Sequence, residues 1–297
     1  MSAEARKLDG PPGMAVLYGR VALGALPGAS LLPFVGGRGD ELPGTELVLD
    51  GVSAELDELA DYCRVCSFTL RDALPATYPH VLAFSTQMRL MADGAFPFPL
   101  LGLVHLDNAI TQHRPIAADE QLELRVRAAD LRPHPKGRAF SLLVDGHVDG
   151  ELVWEERGTI LQRGGGDPEA SWDAGPKAVP ADTPAVTEWS LGADLGRRYA
   201  GVSGDRNPIH MHSLSAKAFG FPRAIAHGMW SKARCLAQLE GRIPDAFSVE
   251  VRFQKPLLLP GRVGFVPVER DGGRIGFALR SVRDGTEHLS GELRPLS

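Results

Sequence analysis

An α+β fold of two similar halves, each a long helix followed by several strands, is what this 297-residue sequence predicts. Three observations point to it. A Gly- and Pro-rich stretch interrupts the chain near residue 170, and the same order of helix-like and alternating segments recurs on either side. The apolar share, 43%, suits a real core, and the length favours two ordinary domains.

The first 44 residues, rich in Gly and Pro, predict only an opening strand over 16–23 and a loop through Gly36, Gly37 and Gly39. Residues 14–35 are apolar, but Arg20, Pro27 and Pro33 break them, so they fall short of a membrane span. Thr45-Glu46-Leu47 then precedes a helical run over 59–68, and Tyr78-Pro79-His80-Val81-Leu82 leads into another over 83–93. A strand from Asn108 ends at Arg114-Pro115-Ile116, and β-rich segments follow over 121–128, 139–148 and 151–161. Gly164-Gly165-Gly166-Asp167-Pro168 and the run to Pro180 read as a linker by composition and lack of periodicity. The expected division is a domain over 1–165, a linker over 166–182 and a domain over 183–297.

The second half repeats the first. Thr187-Glu188-Trp189 precedes a helical run over 195–205, Ile225-Ala226-His227-Gly228-Met229 leads into a helix over 230–240, and a strand from Glu250 ends at Lys255-Pro256-Leu257. Alternating or β-rich segments follow over 261–268, 274–282 and 287–293. This register sets His80 against His227 and Phe68 against Asp205.

Charge excludes some partners. A net charge of −5 from 32 basic and 37 acidic residues offers no field for nucleic acid or an anionic membrane. Cys63, Cys66 and Cys235 are too few for a disulfide framework, and the polar opening 13 residues carry no secretory signal, so a cytoplasmic protein is expected. A lone Cys63-x-x-Cys66 is read as packing.

The chemistry concentrates between Tyr199 and Met229. Asp205 and His210 would stand about 140° apart on a continuous helix, but Asn207-Pro208 argues for a turn that aims both side chains at one point. His227-Gly228-Met229 opens the next helical stretch, leaving the Gly228 N–H as an unpaired donor at a helix start. An acid, a base and an oxyanion donor are what chemistry alpha to a carbonyl requires. Plainer roles compete: Asp205 as a turn cap, His227 as a packed structural histidine. The His spacing suits no zinc site, and no metal is expected.

Ser203-Gly204-Asp205-Arg206-Asn207-Pro208-Ile209-His210, followed by Gly220-Phe221 and Ile225-Ala226-His227-Gly228-Met229, resembles the MaoC-like dehydratases, the (R)-specific enoyl-CoA hydratase family. Its marks are S-G-D-x-N-P-x-H and G-F-x-x-x-I-x-H-G-M, both unsubstituted here. The resemblance covers roughly residues 183–297. It implies a hot-dog fold, and with the repeat a double hot-dog: two antiparallel sheets, each wrapped around a long central helix, in one chain. The N-terminal copy, with Phe68 in place of the acid, is then a degenerate partner.

The resemblance further implies that Asp205 and His210 share the acid and base tasks and that the Gly228 N–H stabilises the thioester oxyanion. Tyr199, Ser203, Asn207, His227 and Met229 would bind substrate or brace the loop. The substrate would be an acyl-CoA or acyl carrier protein thioester, with no cofactor; Lys232, Arg234, Arg252 and Lys255 are candidates to meet its phosphates, and a homodimer stays open. Two other readings compete: a hot-dog thioesterase, which generally places its carboxylate elsewhere, and a non-catalytic acyl-thioester-binding partner subunit, against which the intact acid/base loop argues.

Overall fold

The computed structural model describes residues 4–24, 40–100, 102–172 and 179–296. The chain forms two compact units that interleave along the sequence. One comprises Met1–Ser53, Leu82–Leu106 and Glu120–Asp173; the other comprises Ala54–Val81, Asp107–Asp119 and Ala174–Ser297. The last crossing, between Asp173 and Ala174, falls inside 166–182, but four earlier crossings bound the segments 54–81 and 107–119, which belong to the second unit.

The first unit holds β1 (Glu4–Lys7), α1 (Met14–Gly24), β2 (Thr45–Val52), most of α3 (Tyr78–Met91), the start of β3 (Leu103–Gln112), β4 (Leu122–His134), β5 (Gly137–Val148) and β6 (Glu151–Arg163). Its strands run β1-β2-β4-β5-β6, parallel at β1/β2 and antiparallel thereafter. Alternation sends Leu122, Leu124 and Val126 of β4 and Phe140, Leu142 and Val144 of β5 inward. Phe140 meets Phe96 edge-on at 5.2 Å and stacks on Phe98 at 5.4 Å.

The second unit holds α2 (Leu56–Cys66), the rest of β3, β7 (Thr187–Leu191), α4 (Leu195–Ser203), α5 (Pro208–Met211), α6 (Ser213–Ala218), α7 (Gly228–Gln238), β8 (Phe247–Phe253), β9 (Gly261–Glu269), β10 (Ile275–Ser281) and β11 (Glu287–Pro295). The order is β3-β8-β11-β10-β9-β7, antiparallel throughout. Asn108 opposite Val251 and Ile110 opposite Val249 cover what would otherwise be an open edge of β8. Helix α7 buries Met229, Trp230, Ala233, Cys235, Leu236 and Ala237, the all-round burial of a core helix.

The internal repeat is visible in how α2 and α4 end. Each closes on a left-handed residue, Ser67 at φ 63° and Gly204 at φ 76°. The next residues are Phe68 and Asp205, the pair matched in the sequence register. Tyr62 and Tyr199, at matching places on the two helices, bring their rings to 6.3 Å. His80 departs from the register in one respect: it lies inside α3, whereas His227 precedes α7.

The expected strand over 16–23 is instead α1. Its inward residues, Met14, Leu17 and Tyr18, follow helical spacing, while Val16 is 63% exposed, so period 3.6 prevails over β-propensity. The Gly36–Gly39 loop lies outside the described residues. The end of the expected linker is strapped down: Val179 is buried with Val266 and Ala278, and Arg280 donates to the carbonyls of Val179 at 2.9 Å and Ala181 at 3.2 Å. A side chain here supplies the donors that a ladder would otherwise provide, which no periodicity reveals. All three cysteines are free and buried, and burial pushes the Cys63 thiol up to about 11. Among the described residues no helix is long and apolar enough to cross a membrane.

Candidate active site

The acid/base segment is built as two helix ends facing across a four-residue loop, all in the second unit. Helix α4 stops at Ser203 because Gly204 takes a left-handed conformation. Helix α5 starts at Pro208, whose missing N–H costs nothing at a first helical position, and the Asn207 side chain caps it by accepting from the Ile209 N–H. The loop braces itself: the Asn207 N–H donates to Asp205 Oδ1 at 3.0 Å, and the Asp205 N–H donates to Ser203 Oγ at 3.2 Å. Ser203 Oγ in turn donates to the Tyr199 carbonyl at 2.8 Å. Ser203 and Asn207 are thus engaged with the loop itself.

Asp205, His210 and His227 converge, with one ligating atom of each within 4.8 Å of the others. His210 is buried, and its Nδ1 is 2.8 Å from the Ile225 carbonyl. A carbonyl only accepts, so Nδ1 carries the hydrogen and Nε2 keeps a lone pair. His227 Nε2 donates to the Asp205 backbone carbonyl at 3.0 Å and lies 3.8 Å from Asp205 Oδ2. Its Nδ1 is buried without a hydrogen-bond partner among the described residues, which fits a neutral ring. The two imidazoles stack at 3.7 Å, and the Tyr199 ring lies 4.9 Å from His227 on its own tilt.

Burial sets the protonation states. It opposes charge on Asp205, but the facing imidazoles of His227 and His210, the Asn207 N–H and then His80 outweigh it and leave the carboxyl below its ordinary value. Burial lowers His210, against the pull of Asp205 and the Ile225 carbonyl. Burial also lowers His227, to about 3, with His210 adding to the effect. Near neutral pH the group is a carboxylate beside two neutral imidazoles. The Asp205 side chain keeps 31% of its surface exposed, so the carboxylate opens to a reactant while both rings are held inside.

Two glycines permit this closeness. A Cβ on Gly196 would stand 2.0 Å from the His210 carbonyl oxygen, so only hydrogen fits where α4 meets α5. A Cβ on Gly228 would meet the Phe253 ring at 3.0 Å. Gly228 is the first residue of α7, and its N–H has no intrahelical acceptor. Met229 follows it, buried in the helix.

A metal ion fits this group poorly. Imidazole lone pairs lie in their ring planes, and rings stacked with planes 27° apart aim side by side rather than at one point. His227 Nε2 also gives its N–H to a carbonyl.

The residues read from the sequence as acid, base, oxyanion donor and loop braces therefore lie together. The phosphate candidates do not: Lys232 is fully buried, and Arg234 lies over the Trp189 ring at 4.0 Å, because helix α7 is inside the unit and its charges turn inward or onto neighbouring rings. Of the four, only Lys255 is exposed. Two contributors were missed. Gly196 carried a signal, since glycine within a helical run has a packing reason; His80 was seen only as a counterpart of His227, yet it acts on Asp205.

A family profile described as MaoC like domain matches residues 177–292. The 3-hydroxyacyl-thioester dehydratase X of Mycobacterium tuberculosis is 38% identical over 281 residues, covering 93% of this chain and 96% of that protein. The crystal structure of HtdX from the same organism superposes with a TM-score of 0.75 at 35% identity, over 84% of this chain and 100% of that one. A Mycobacterium tuberculosis protein with a double hotdog fold shares that fold at 14% identity and a TM-score of 0.52, over 83% of this chain and 94% of its own. Matched over nearly its whole length by such a relative, and carrying both motif segments on one site, the chain belongs to the MaoC-like dehydratases in their double hot-dog form.

Proposed function

We propose that this protein is a hydro-lyase that reversibly hydrates trans-2-enoyl thioesters to (3R)-3-hydroxyacyl thioesters. The observation that carries the reading is the pairing of a carboxylate with a neutral imidazole whose Nδ1–H is committed to Ile225, leaving Nε2 as an acceptor in the same site. In hydration, Asp205 and His210 hold a water and one of them takes its proton as the oxygen bonds to the beta carbon. The π electrons move toward the thioester oxygen, and the Gly228 N–H donates a hydrogen bond to that oxygen as its charge grows. The protonated member of the pair then delivers its proton to the alpha carbon, which regenerates the carbonyl. Tyr199, Ser203, Asn207 and His227 hold the loop in place, and Met229 borders the start of α7.

The same reading assigns residues 1–165 to a degenerate hot-dog copy, 166–182 to a connection and 183–297 to the reacting copy, with no cofactor in the reaction. The carrier is coenzyme A or an acyl carrier protein, the setting is the cytoplasm, and two chains pairing as a homodimer is compatible with it. The test is to mix protein with short and long trans-2-enoyl-CoA and follow loss of the enoyl ultraviolet absorbance, with chiral analysis of the product. Turnover to the (3R) product, lost by orders of magnitude in Asp205→Asn, is the expected result. Release of free thiol from coenzyme A without hydration would favour a thioesterase instead.

A further inference from the structure

Lys232 is a buried cation that the acid/base scheme leaves without a task. It is 0% exposed on α7, and its Nζ donates to three acceptors: Asn108 Oδ1 at 2.5 Å, the Asn108 carbonyl at 3.1 Å and the Val249 carbonyl at 3.2 Å. Three acceptors match the three N–H groups of an ammonium; a neutral amine has only two. The three bonds fit an ammonium held in the interior.

Its place on the helix gives the charge a direction. Lys232 follows Gly228 by four residues, so the two share a face one turn apart, about 6 Å along the axis. The side chain of Lys232 runs from the helix to the sheet, where Asn108 on β3 and Val249 on β8 receive its ammonium. The acceptors sit on β3 and β8, and β8 ends at Phe253, whose ring closes on Gly228. One ammonium thus ties α7, one turn after its start, to two strands, and carries its charge on the same helix whose start bears the positive end of the dipole.

We propose that Lys232 is a positioning residue for this reaction: it fixes the direction of the Gly228 N–H and lends a buried positive charge to the enolate oxygen. The proposal rests on the hydratase reading above. A side chain that only filled the interior of the unit would leave the polarisation of a bound thioester carbonyl unchanged, so the test reads that polarisation. The full-length protein is mixed with a conjugated dienoyl-CoA, whose ultraviolet band moves to longer wavelength when its carbonyl is polarised, and kcat and KM are measured with trans-2-enoyl-CoA.

Lys232→Met is expected to lose most of the band shift and about 10- to 100-fold in kcat, less than or equal to the loss on deleting an oxyanion donor outright, with KM within about threefold. Lys232→Arg, which keeps the charge, is expected to keep most of the shift. Should neither variant fold, Asn108→Ala leaves the ammonium with two of its acceptors, and a reduced shift with kcat lowered several-fold is expected. A folded Lys232→Met, or Asn108→Ala where that is the usable variant, with wild-type kcat and band shift overturns the proposal. Asp205→Asn serves as the separate control: if it loses turnover while Lys232→Met does not, only the role of Lys232 fails. If wild type neither hydrates the enoyl thioester nor shifts the dienoyl band, the hydratase reading fails and this proposal with it.

Discussion

Replacing Gly196 by alanine tests whether the spacing between α4 and α5 sets the geometry of the acid/base pair. The new Cβ would stand 2.0 Å from the His210 carbonyl oxygen, and the obstructing atom is backbone, so no side chain can swing away. A carbon-to-oxygen contact needs about 3.3 Å, so α5 must retreat by roughly 1 Å and carry His210 with it. Misplacement on that scale lowers rate by about 10²-fold, and kcat/KM for enoyl-CoA hydration is expected to fall accordingly. Overpacking costs about 1–3 kcal/mol, while alanine gains up to about 1 kcal/mol over glycine in a helix. A net loss of about 1–2 kcal/mol in urea unfolding follows. Gly201, also on α4, has open space at its Cβ position, so Gly201→Ala should be active and no less stable. If Gly196→Ala matched Gly201→Ala in both rate and stability, the argument from spacing would be refuted.

Gly228→Ala keeps the N–H but presses a methyl group against the Phe253 ring at 3.0 Å and disturbs the helix start, so a fall in kcat of about 10-fold or more is expected, bounded by the roughly 10²- to 10³-fold of a lost oxyanion donor; unchanged kcat with a normal fold would argue against an oxyanion role. His227 has a folded-state pKa near 3, below its unfolded value, so folding excludes its proton and stability declines as pH falls from about 6.5 toward 3. The ceiling on that loss is about 5 kcal/mol at 1.36 kcal/mol per unit, and Asp205, also lowered, acts in the same direction. Urea midpoints measured from pH 7 to 4 should fall less steeply for His227→Phe than for wild type; equal slopes would remove His227 from the account. Because His210 is lowered too, the acid limb of hydration kcat/KM should lie below pH 6.5, and a limb above that value would contradict its burial.

Much of the fold and site was legible in the sequence, and the reasons differ by element. Strands β4 and β5 alternate over much of their length because one face packs on the core, whereas β9 to β11 are buried along continuous runs and were legible as short β-rich segments. Asn207-Pro208 announced the break that brings Asp205 and His210 together, since proline at a helix start and asparagine before it are local requirements. Helix α1 was misread because short apolar runs rich in Val and Leu suit either period. Lys232 was misplaced because a lysine looks like surface until its three acceptors, from residues 108 and 249, are brought to it by tertiary structure. The tie between Arg280 and the segment near Val179 spans about a hundred positions and has no local pattern to find.

The interleaving of the two units has a consequence for how the chain is made. Synthesis delivers the last segment of the first unit by Asp173, so that unit has all its parts while the ribosome is still at work on the remainder. The second unit already has Ala54–Val81 and Asp107–Asp119 in hand, but their partners are not yet made: Trp230 for the Val65 carbonyl, Glu240 for the Thr69 N–H, Lys232 for Asn108 and β8 for the end of β3. At roughly 5–20 residues per second the delay is on the order of 10 s. Through it, the apolar side of α2, with Leu59, Tyr62, Cys63 and Cys66, awaits its cover. That nascent surface is where a chaperone that recognises exposed apolar segments would bind, and slowing translation beyond Asp173 should lengthen its stay.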